Sequence, residues 1–184
     1  MRGKPDRQRF ETLLREHRRI VLKVAGAYAR SAHDRDDLVQ DIAMQLWRSF
    51  GAFDAGRAKF TTWMYRVALN VAISWVRSAK RSGLERFEQL DNVHLETVAG
   101  AGGAQHEVLE RNERLAALYD FIARLDPLNR ALVLLYLDDR PYAEIADVIG
   151  ISETNVATKL NRIKQKLRGQ MGVTQTEGAN NGTR

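Results

Sequence analysis

The sequence predicts an all-α fold: two small helical bundles joined by a flexible linker, the C-terminal one a helix-turn-helix domain. Apolar residues recur at three- and four-residue spacing from about residue 9 to 81 and again from 106 to 168. No segment shows the alternation typical of a strand. The intervening stretch mixes charged residues with glycines and keeps no period. The expected parts are therefore a domain at 1–81, a linker at 82–105, a domain at 106–168 and a disordered tail at 169–184.

Composition narrows the chemistry. The 184 residues include 29 Lys and Arg against 23 Asp and Glu, a formal net charge of +6, which favours a polyanionic partner. Cysteine is absent, which excludes disulfides and Cys-based metal or redox sites. No apolar run approaches the length that spans a bilayer, and no signal peptide is recognisable. We expect a soluble, untargeted, cytoplasmic protein.

The N-terminal half begins with one long predicted helix, from about Arg9 to Arg30, whose apolar spacing is interrupted by the charged run from Arg15 to Arg19. A second helix starts in the turn at 31–37 and runs to about Ser49, with acids opposite its apolar arc. Asp37 and Asp41 lie one turn apart on the exposed side. Paired carboxylates can form an acid/base pair or a metal site, but no His or third ligand is recognised beside them, so solvation or docking to a basic partner is favoured.

A loop at 51–59 precedes a third predicted helix, from about Phe60 to Arg81. The loop carries two glycines and the solitary aromatic Phe53. Aromatic side chains interleaved with cations beside a loop are suited to gripping single-stranded nucleic acid, although core packing is the alternative for each aromatic singly. The polar and aromatic residues predicted outside the buried stripe or at its margin are Trp63, Tyr65, Arg66, Asn70, Arg77, Lys80 and Arg81.

The C-terminal half ends in a predicted helix-turn-helix from Pro141 to Arg168. A helix at 106–124 and a short apolar helix capped by Asp126 precede it. Pro141 suits a first helical position, Gly150 the left-handed end of that helix, and Ser152 the cap of the next. The second helix would place polar and basic side chains in a DNA major groove. An ordinary antiparallel pair with a solvated basic face is the alternative.

Three motifs in order give the chain a resemblance to a known family. DRDDLVQDIAMQLW at 34–47, FTTWMYRVALNVAISWVRSAKR at 60–81 and the stretch at 125–167 resemble segments of bacterial RNA polymerase sigma factors of the extracytoplasmic-function (ECF) type, in the sigma-70 family. The resemblance implies that the first segment docks on the polymerase clamp helices. The second, with the loop at 51–59, would melt and read the −10 element, and the third would bind the −35 duplex and meet the polymerase flap.

The resemblance also assigns site residues. For −35 recognition it implies Ser152, Asn155, Thr158, Lys159, Asn161, Arg162, Lys164 and Lys166. For the −10 element it implies Phe53, Asp54, Lys59, Trp63, Arg66, Asn70, Arg77, Lys80 and Arg81. For polymerase binding it implies Asp34, Asp37, Gln40 and Asp41. Ala157 and Leu69 depart from the family's frequent basic residues, which alters the expected phosphate contacts.

The expected function is that of a promoter-specificity subunit, without cofactor or enzymatic activity. Its expected partners are core RNA polymerase, promoter DNA and an anti-sigma factor or other regulatory protein. The alternative is a free-standing helix-turn-helix regulator whose N-terminal bundle senses a ligand or dimerises. An enzyme is the weakest class, because no Gly-rich phosphate loop, nucleophile motif or metal-ligand cluster is recognisable. The histidines His17, His33, His94 and His106 show no metal-ligand spacing.

Overall fold

The computed structural model describes residues 6–81, 115 and 117–170, and every regular element within them is helical. This confirms the all-α class. The predicted linker at 82–105 and the tail beyond residue 170 lie outside the described residues. A short 3-10 helix at Phe50–Ala52 follows the third helix. The helices are α1 (Arg7–Glu16), α2 (Arg18–Tyr28), α3 (Ala32–Ser49), α4 (Phe60–Arg81), α5 (117–124), α6 (Pro127–Leu137), α7 (Tyr142–Ile149) and α8 (Glu153–Gln170).

The first predicted helix is in fact two helices, so the expectation of one long helix was wrong. His17 leaves the helical conformation with φ −110° and ψ 16°, and α2 restarts at Arg18. The break has a packing reason. It allows the Phe10 ring on α1 to lie 5.1 Å from both the Trp47 and the Phe50 rings, while α2 buries its own apolar stripe.

Helices α2, α3 and α4 pack on one another to form the N-terminal core. The start of α3 follows from its sequence, since the Ser31 hydroxyl accepts a hydrogen bond from the Asp34 N–H at 3.1 Å. Leu38, Ile42 and Leu46 then fall at four-residue spacing and are fully buried. The opposite face of α3 is left to its polar residues.

The C-terminal half follows its capping signals closely. Asp126 caps α6, its side chain accepting from the Asn129 N–H at 3.0 Å. Gly150 ends α7 with φ 79°, and the Ser152 hydroxyl accepts from the Asn155 N–H at 3.2 Å at the start of α8. Pro141 is the residue before α7 rather than its first helical residue, so α7 begins one position later than predicted. Helix α8 continues to Gln170, two residues into the predicted tail.

The two halves pack directly against each other. Helices α6 and α7 contact α4, and α6 also contacts α2. Buried residues of both halves, among them Ala68 and Ile145, belong to one continuous apolar cluster. Each half alone would bury a lower fraction of its surface than the pair does together. No helix in the described ranges combines the length and the apolar character needed to cross a membrane.

Candidate nucleic-acid and polymerase interfaces

Helix α8 presents one open polar face. Val156 and Leu160 are buried in the cluster shared with α6 and α7, and Ile163 is buried against residues of α5 and α6, which turns the other side of the helix to solvent. The predicted −35 residues lie on or beside this open side. Ser152, Asn155, Thr158, Asn161, Arg162 and Lys166 are exposed, and Lys159 and Lys164 are half-buried.

Two of these side chains are also held within the protein. The Lys164 Nζ lies 4.1 Å from the centroid of the Tyr136 ring, close enough for a cation–π interaction. The Thr158 hydroxyl donates to the Thr154 carbonyl at 2.9 Å within α8. Arg162, by contrast, is exposed halfway along the face. A rigid helix with an exposed guanidinium has the geometry for bidentate hydrogen bonding to a base edge.

Phe53, the solitary aromatic of the loop before α4, packs in a cluster with aromatic rings of the flanking elements. The Phe53 ring centroid lies 5.2 Å from that of Trp63, 5.4 Å from Phe60 and 6.2 Å from Phe50. Phe53 and Trp63 are half-buried, so each keeps part of its surface available. Asp54 shapes the loop by accepting from the Gly56 N–H at 2.8 Å. The exposed Lys59 closes it on the side of α4.

Helix α4 is covered on more of its circumference than its pattern predicted. Asn70 and Arg77 are exposed and Arg66 is half-buried, but Tyr65 is fully buried, so its expected place outside or at the margin is wrong. Leu69 is buried as well. The reason is that α2 and α3 cover one side of α4 while α6 and α7 cover another. Lys80 and Arg81 belong to α4, and their side chains lie outside the described residues.

The contact between α4 and the C-terminal half is polar at its edge. The Arg66 Nη2 lies 2.6 Å from the Asp147 Oδ2 and donates to the Asp147 carbonyl at 3.1 Å. The Thr62 hydroxyl donates to the Glu144 Oε1 at 2.8 Å, and the Arg140 guanidinium donates to the same oxygen at 3.2 Å. A predicted −10 residue, Arg66, is thus bound to the other half of the chain.

Asp138 lies at the centre of this contact. It accepts hydrogen bonds from the Lys23 Nζ on α2 and the Tyr65 hydroxyl on α4. Burial opposes ionisation of this carboxyl, but the hydrogen bonds from Lys23 and Tyr65, with the charges of Lys23 and Arg140, hold its pKa below the ordinary value. Burial, reinforced by the Asp138 hydrogen bond, raises the pKa of Tyr65. The pair therefore exists as a neutral phenol donating to a carboxylate.

A second set of interdomain bonds lies near the start of α6. The Tyr28 hydroxyl donates to the Pro127 carbonyl at 2.6 Å, and the Arg130 Nη1 donates to the Ala27 carbonyl at 2.9 Å. The Arg130 guanidinium also lies over the Tyr28 ring, 5.1 Å from its centroid. These contacts tie α6 to the end of α2.

The predicted polymerase-binding residues lie on α3. Asp37, Gln40 and Asp41 are exposed, and Asp34, next to the capping Ser31, is half-buried. The His33 Nε2 lies 3.5 Å from the Asp37 Oδ2, so a histidine does stand beside the acidic pair, contrary to expectation. Within the described ranges, no group of three or more acids, histidines or cysteines is arranged to hold a metal ion.

An open groove connects the acidic face of α3 with α4. Asp41 and the exposed Met44 line one side, and Asn70 and Trp75 line the other. Residues predicted for polymerase binding and for −10 recognition therefore adjoin a single surface depression. The helical periodicity of α3 and of α4, each considered alone, did not indicate that these residues would lie next to each other.

Comparison with protein families shows to which family the chain belongs. The family profile described as Sigma-70 region 2 matches residues 13–82, and that described as Sigma-70, region 4 matches residues 115–167. The two matches together span more than half of the chain. The chain belongs to the sigma-70 family. The ECF resemblance is confirmed, and with it the absence of enzymatic activity that characterises sigma factors.

Similar proteins span nearly the whole of this sigma factor. It is 27% identical over 175 residues to the ECF RNA polymerase sigma factor SigE of Mycolicibacterium smegmatis, an alignment covering 92% of this chain and 64% of that protein. It is 23% identical over 180 residues to SigW of Bacillus subtilis, with 91% of each chain covered.

Two solved structures share the fold of this sigma factor. One is the sigma factor RpoE in complex with the anti-sigma factor NepR from Bartonella quintana, with a TM-score of 0.68, 21% identity, and coverage of 91% of this chain and 99% of that chain. The other is CnrH in complex with the cytosolic domain of CnrY, with a TM-score of 0.62, 23% identity and 92% of each chain covered.

Proposed function

We propose that this sigma factor binds core RNA polymerase in the cytoplasm through the acidic face of α3 and directs it to promoters through α8 and through α4 with its preceding loop. The observation that carries the proposal is the separation of three differently charged or shaped surfaces on one chain. The α3 face is acidic, the α8 face is basic and regular, and the surface at 51–70 combines aromatic rings with cations.

Helix α8 suits a duplex. Its exposed residues Asn155 and Arg162 have side chains that hydrogen-bond base edges in the major groove, while Lys159 and Lys166 are placed to neutralise phosphates. Base contacts give specificity and phosphate contacts give position. We assign the −35 duplex to this face.

The loop and α4 suit a separated strand. Unstacking a base costs a few kcal/mol, and stacking on an aromatic side chain returns about 1 to 3 kcal/mol per base. Phe53 and Trp63 provide partly open rings 5.2 Å apart, with Lys59 and Asn70 exposed nearby on the same elements. We assign the melted −10 element to this surface.

A free-standing regulator is the competing function, and the α3 face separates the two. Asp37 and Asp41 are exposed acids one turn apart, which repel mildly and gain little for the fold. The pair would instead be stabilised by binding to a basic surface of a partner protein. Core RNA polymerase is the partner to which sigma factors bind. The relatives solved with anti-sigma factors support a further regulatory partner of that kind.

Charge reversal on α3 tests the proposal. Asp37→Lys with Asp41→Lys should leave the melting temperature nearly unchanged, because exposed charge pairs contribute at most about 1 kcal/mol. It should slow and weaken binding to core polymerase, and the loss should depend on salt. The matched control is Glu11→Lys with Asp120→Lys, an equal change at two exposed acids on α1 and α5. Wild-type affinity of the folded α3 variant at low salt would contradict the docking assignment.

A further inference from the structure

One surface of the N-terminal half gathers hydrogen-bond donors that are all directed at carboxylates of the C-terminal half. Lys23 on α2 and Tyr65 on α4 donate to Asp138. Thr62 donates to Glu144, and Arg66 pairs with Asp147 at 2.6 Å. The four donors form what we call the donor surface, defined as Lys23, Thr62, Tyr65 and Arg66.

The acids that bind it form a matching row. Glu144 and Asp147 are three residues apart on α7 and so project from one side of the helix, and Asp138 lies at the end of α6 before the turn into α7. Carboxylate and phosphate oxygens make the same charge-assisted hydrogen bonds to Arg and Lys, and an Arg fork binds both bidentately. A surface built for this row of carboxylates is therefore also chemically suited to a row of phosphates.

We propose that the acids of α6 and α7 and the phosphates of single-stranded promoter DNA bind the same donor surface. In the free chain, whose two halves are packed together in what we call the closed form, the acids occupy this surface. The phosphates take their place once the C-terminal half has moved away. This inference rests on the proposed function, because it concerns the same −10 surface and adds Lys23, Thr62 and Tyr65 to it. In the free chain the donor surface is occupied by acids of the chain's own α6 and α7, and the ligand that competes with them is a DNA strand.

Of the contacts to the donor surface, the Arg66–Asp147 pair is the one exposed enough to be released at little cost, whereas Thr62 and Tyr65 are buried. The side chains of Arg66 and Asp147 are 41% and 56% exposed, and such pairs contribute little to stability. The part-buried hydrogen bonds of Asp138 to Lys23 and Tyr65 fix how the two halves are aligned in the closed form. The −35 face of α8 is turned away from this contact, since α8 packs on α6 and α7 through its opposite side. Closure thus masks one DNA surface and leaves the other open.

Single-strand binding by the isolated full chain tests the masking directly. The probe is a fluorescein-labelled DNA strand of about 15 nucleotides, within the range that single-strand binding surfaces cover. Asp147→Asn should raise its affinity by about two- to fivefold, the factor that matches a partly exposed ion pair. Asp120→Asn is the matched control. It removes the same charge from an exposed position on α5, so the general electrostatic gain is equal.

A second measurement reports closure itself. Because the chain contains no cysteine, Asp36→Cys on α3 and Asp120→Cys on α5 give two unique labelling sites at exposed positions on opposite halves. Energy transfer between dyes at these sites should fall when the single strand is added, and should be lower in Asp147→Asn than in the wild type before any DNA is present.

The outcomes separate this inference from the proposed function. Equal single-strand affinity for Asp147→Asn and Asp120→Asn, or binding without any change in energy transfer, would overturn the masking. Both readouts use the chain without polymerase, so they remain decisive even if the chain failed to direct initiation. Conversely, normal initiation with core polymerase alongside equal affinities would leave the proposed function standing and remove only the masking.

Discussion

Helices α4 and α8 carry the two predicted DNA surfaces, and they differ in how much of each helix the protein itself covers. Helix α8 buries a single stripe, Val156, Leu160 and Ile163, and leaves its basic side open. Helix α4 is packed by α2 and α3 on one side and by α6 and α7 on another, so that Tyr65 and Leu69 are buried beyond the predicted stripe.

The difference shows that a basic amphipathic sequence does not by itself indicate that the basic face of the helix is accessible to DNA. On α8 the charge pattern and the exposure agree, because the polar and basic residues predicted to face outward are exposed or half-buried. On α4 the half-buried Arg66 already pairs with Asp147. Under the proposed assignments, the surface for the duplex on α8 is already open in this structure, whereas the surface for the single strand on α4 becomes available only after a rearrangement. The four predictions that follow test this contrast.

The largest effect is expected in the loop before α4. Replacing Phe53 to Arg57 with a Gly-Ser sequence removes a stacking surface worth about 1 to 3 kcal/mol per base, so open-complex formation by the holoenzyme should fall by about 5- to 150-fold. Permanganate reactivity of unpaired thymines measures it. Binding of the −35 duplex should be unchanged, since the residues assigned to it lie on α8, in the other half of the chain. Normal promoter opening by a folded variant would remove the loop from the account.

On α8, Arg162→Ala should cost about 1 to 3 kcal/mol on the cognate −35 duplex and relax sequence preference. The matched variant is Lys166→Ala, also exposed on α8, which should weaken all duplexes alike and lower the salt slope by about 1. Lys166 is the cleaner phosphate probe because Lys164 lies over the Tyr136 ring. Fluorescence anisotropy on cognate and scrambled duplexes distinguishes the two roles. Equal losses on both duplexes for Arg162→Ala would exclude base reading.

The turn that positions α8 should show a smaller effect on stability alone. Gly150 has φ 79°, a conformation that costs an L-residue about 1 to 2 kcal/mol. Gly150→Ala should lower the free energy of unfolding by that amount, although open space surrounds the added methyl. Gly169→Ala, in open space within α8, should be neutral or stabilising by up to about 1 kcal/mol. Urea denaturation of both variants checks the contrast, and equal effects would contradict it.

The smallest effect concerns pH. The pKa of Asp138 is held below its ordinary value in the folded chain because the hydrogen bonds from Lys23 and Tyr65 outweigh burial. A depressed carboxyl pKa stabilises the closed form at neutral pH, and this contribution is lost as the pH falls from the ordinary aspartate range through the lowered pKa. Energy transfer between the halves should fall in that acid range. Asp138→Asn should lose this component, and an identical profile in both would refute it.

The sequence predicted most of the fold because the signals were local. Helical spacing located the helices, and Asp126, Gly150 and Ser152 set helix ends in the structure as expected. The break at His17 was missed because neither Gly nor Pro marks it. The reason for the break is the long-range packing of Phe10 on Trp47 and Phe50.

The state of the candidate site was predictable only in part. Which residues point outward on α8 followed from helix periodicity, since one neighbouring layer covers that helix. The burial of Tyr65 and the pairing of Arg66 with Asp147 did not, because they depend on contacts between residues more than seventy positions apart. Periodicity predicts a buried stripe, but it does not reveal a second covering layer.

The most direct test of the central claim is start-site mapping in vitro with purified core RNA polymerase and this chain on a genomic DNA library. We expect discrete start sites that depend on the chain, preceded by shared −35 and −10 elements, and a loss of −35 discrimination with Arg162→Ala. Unchanged start sites relative to core polymerase alone, from a chain that is folded and bound to DNA, would contradict this expectation and favour a free-standing regulator.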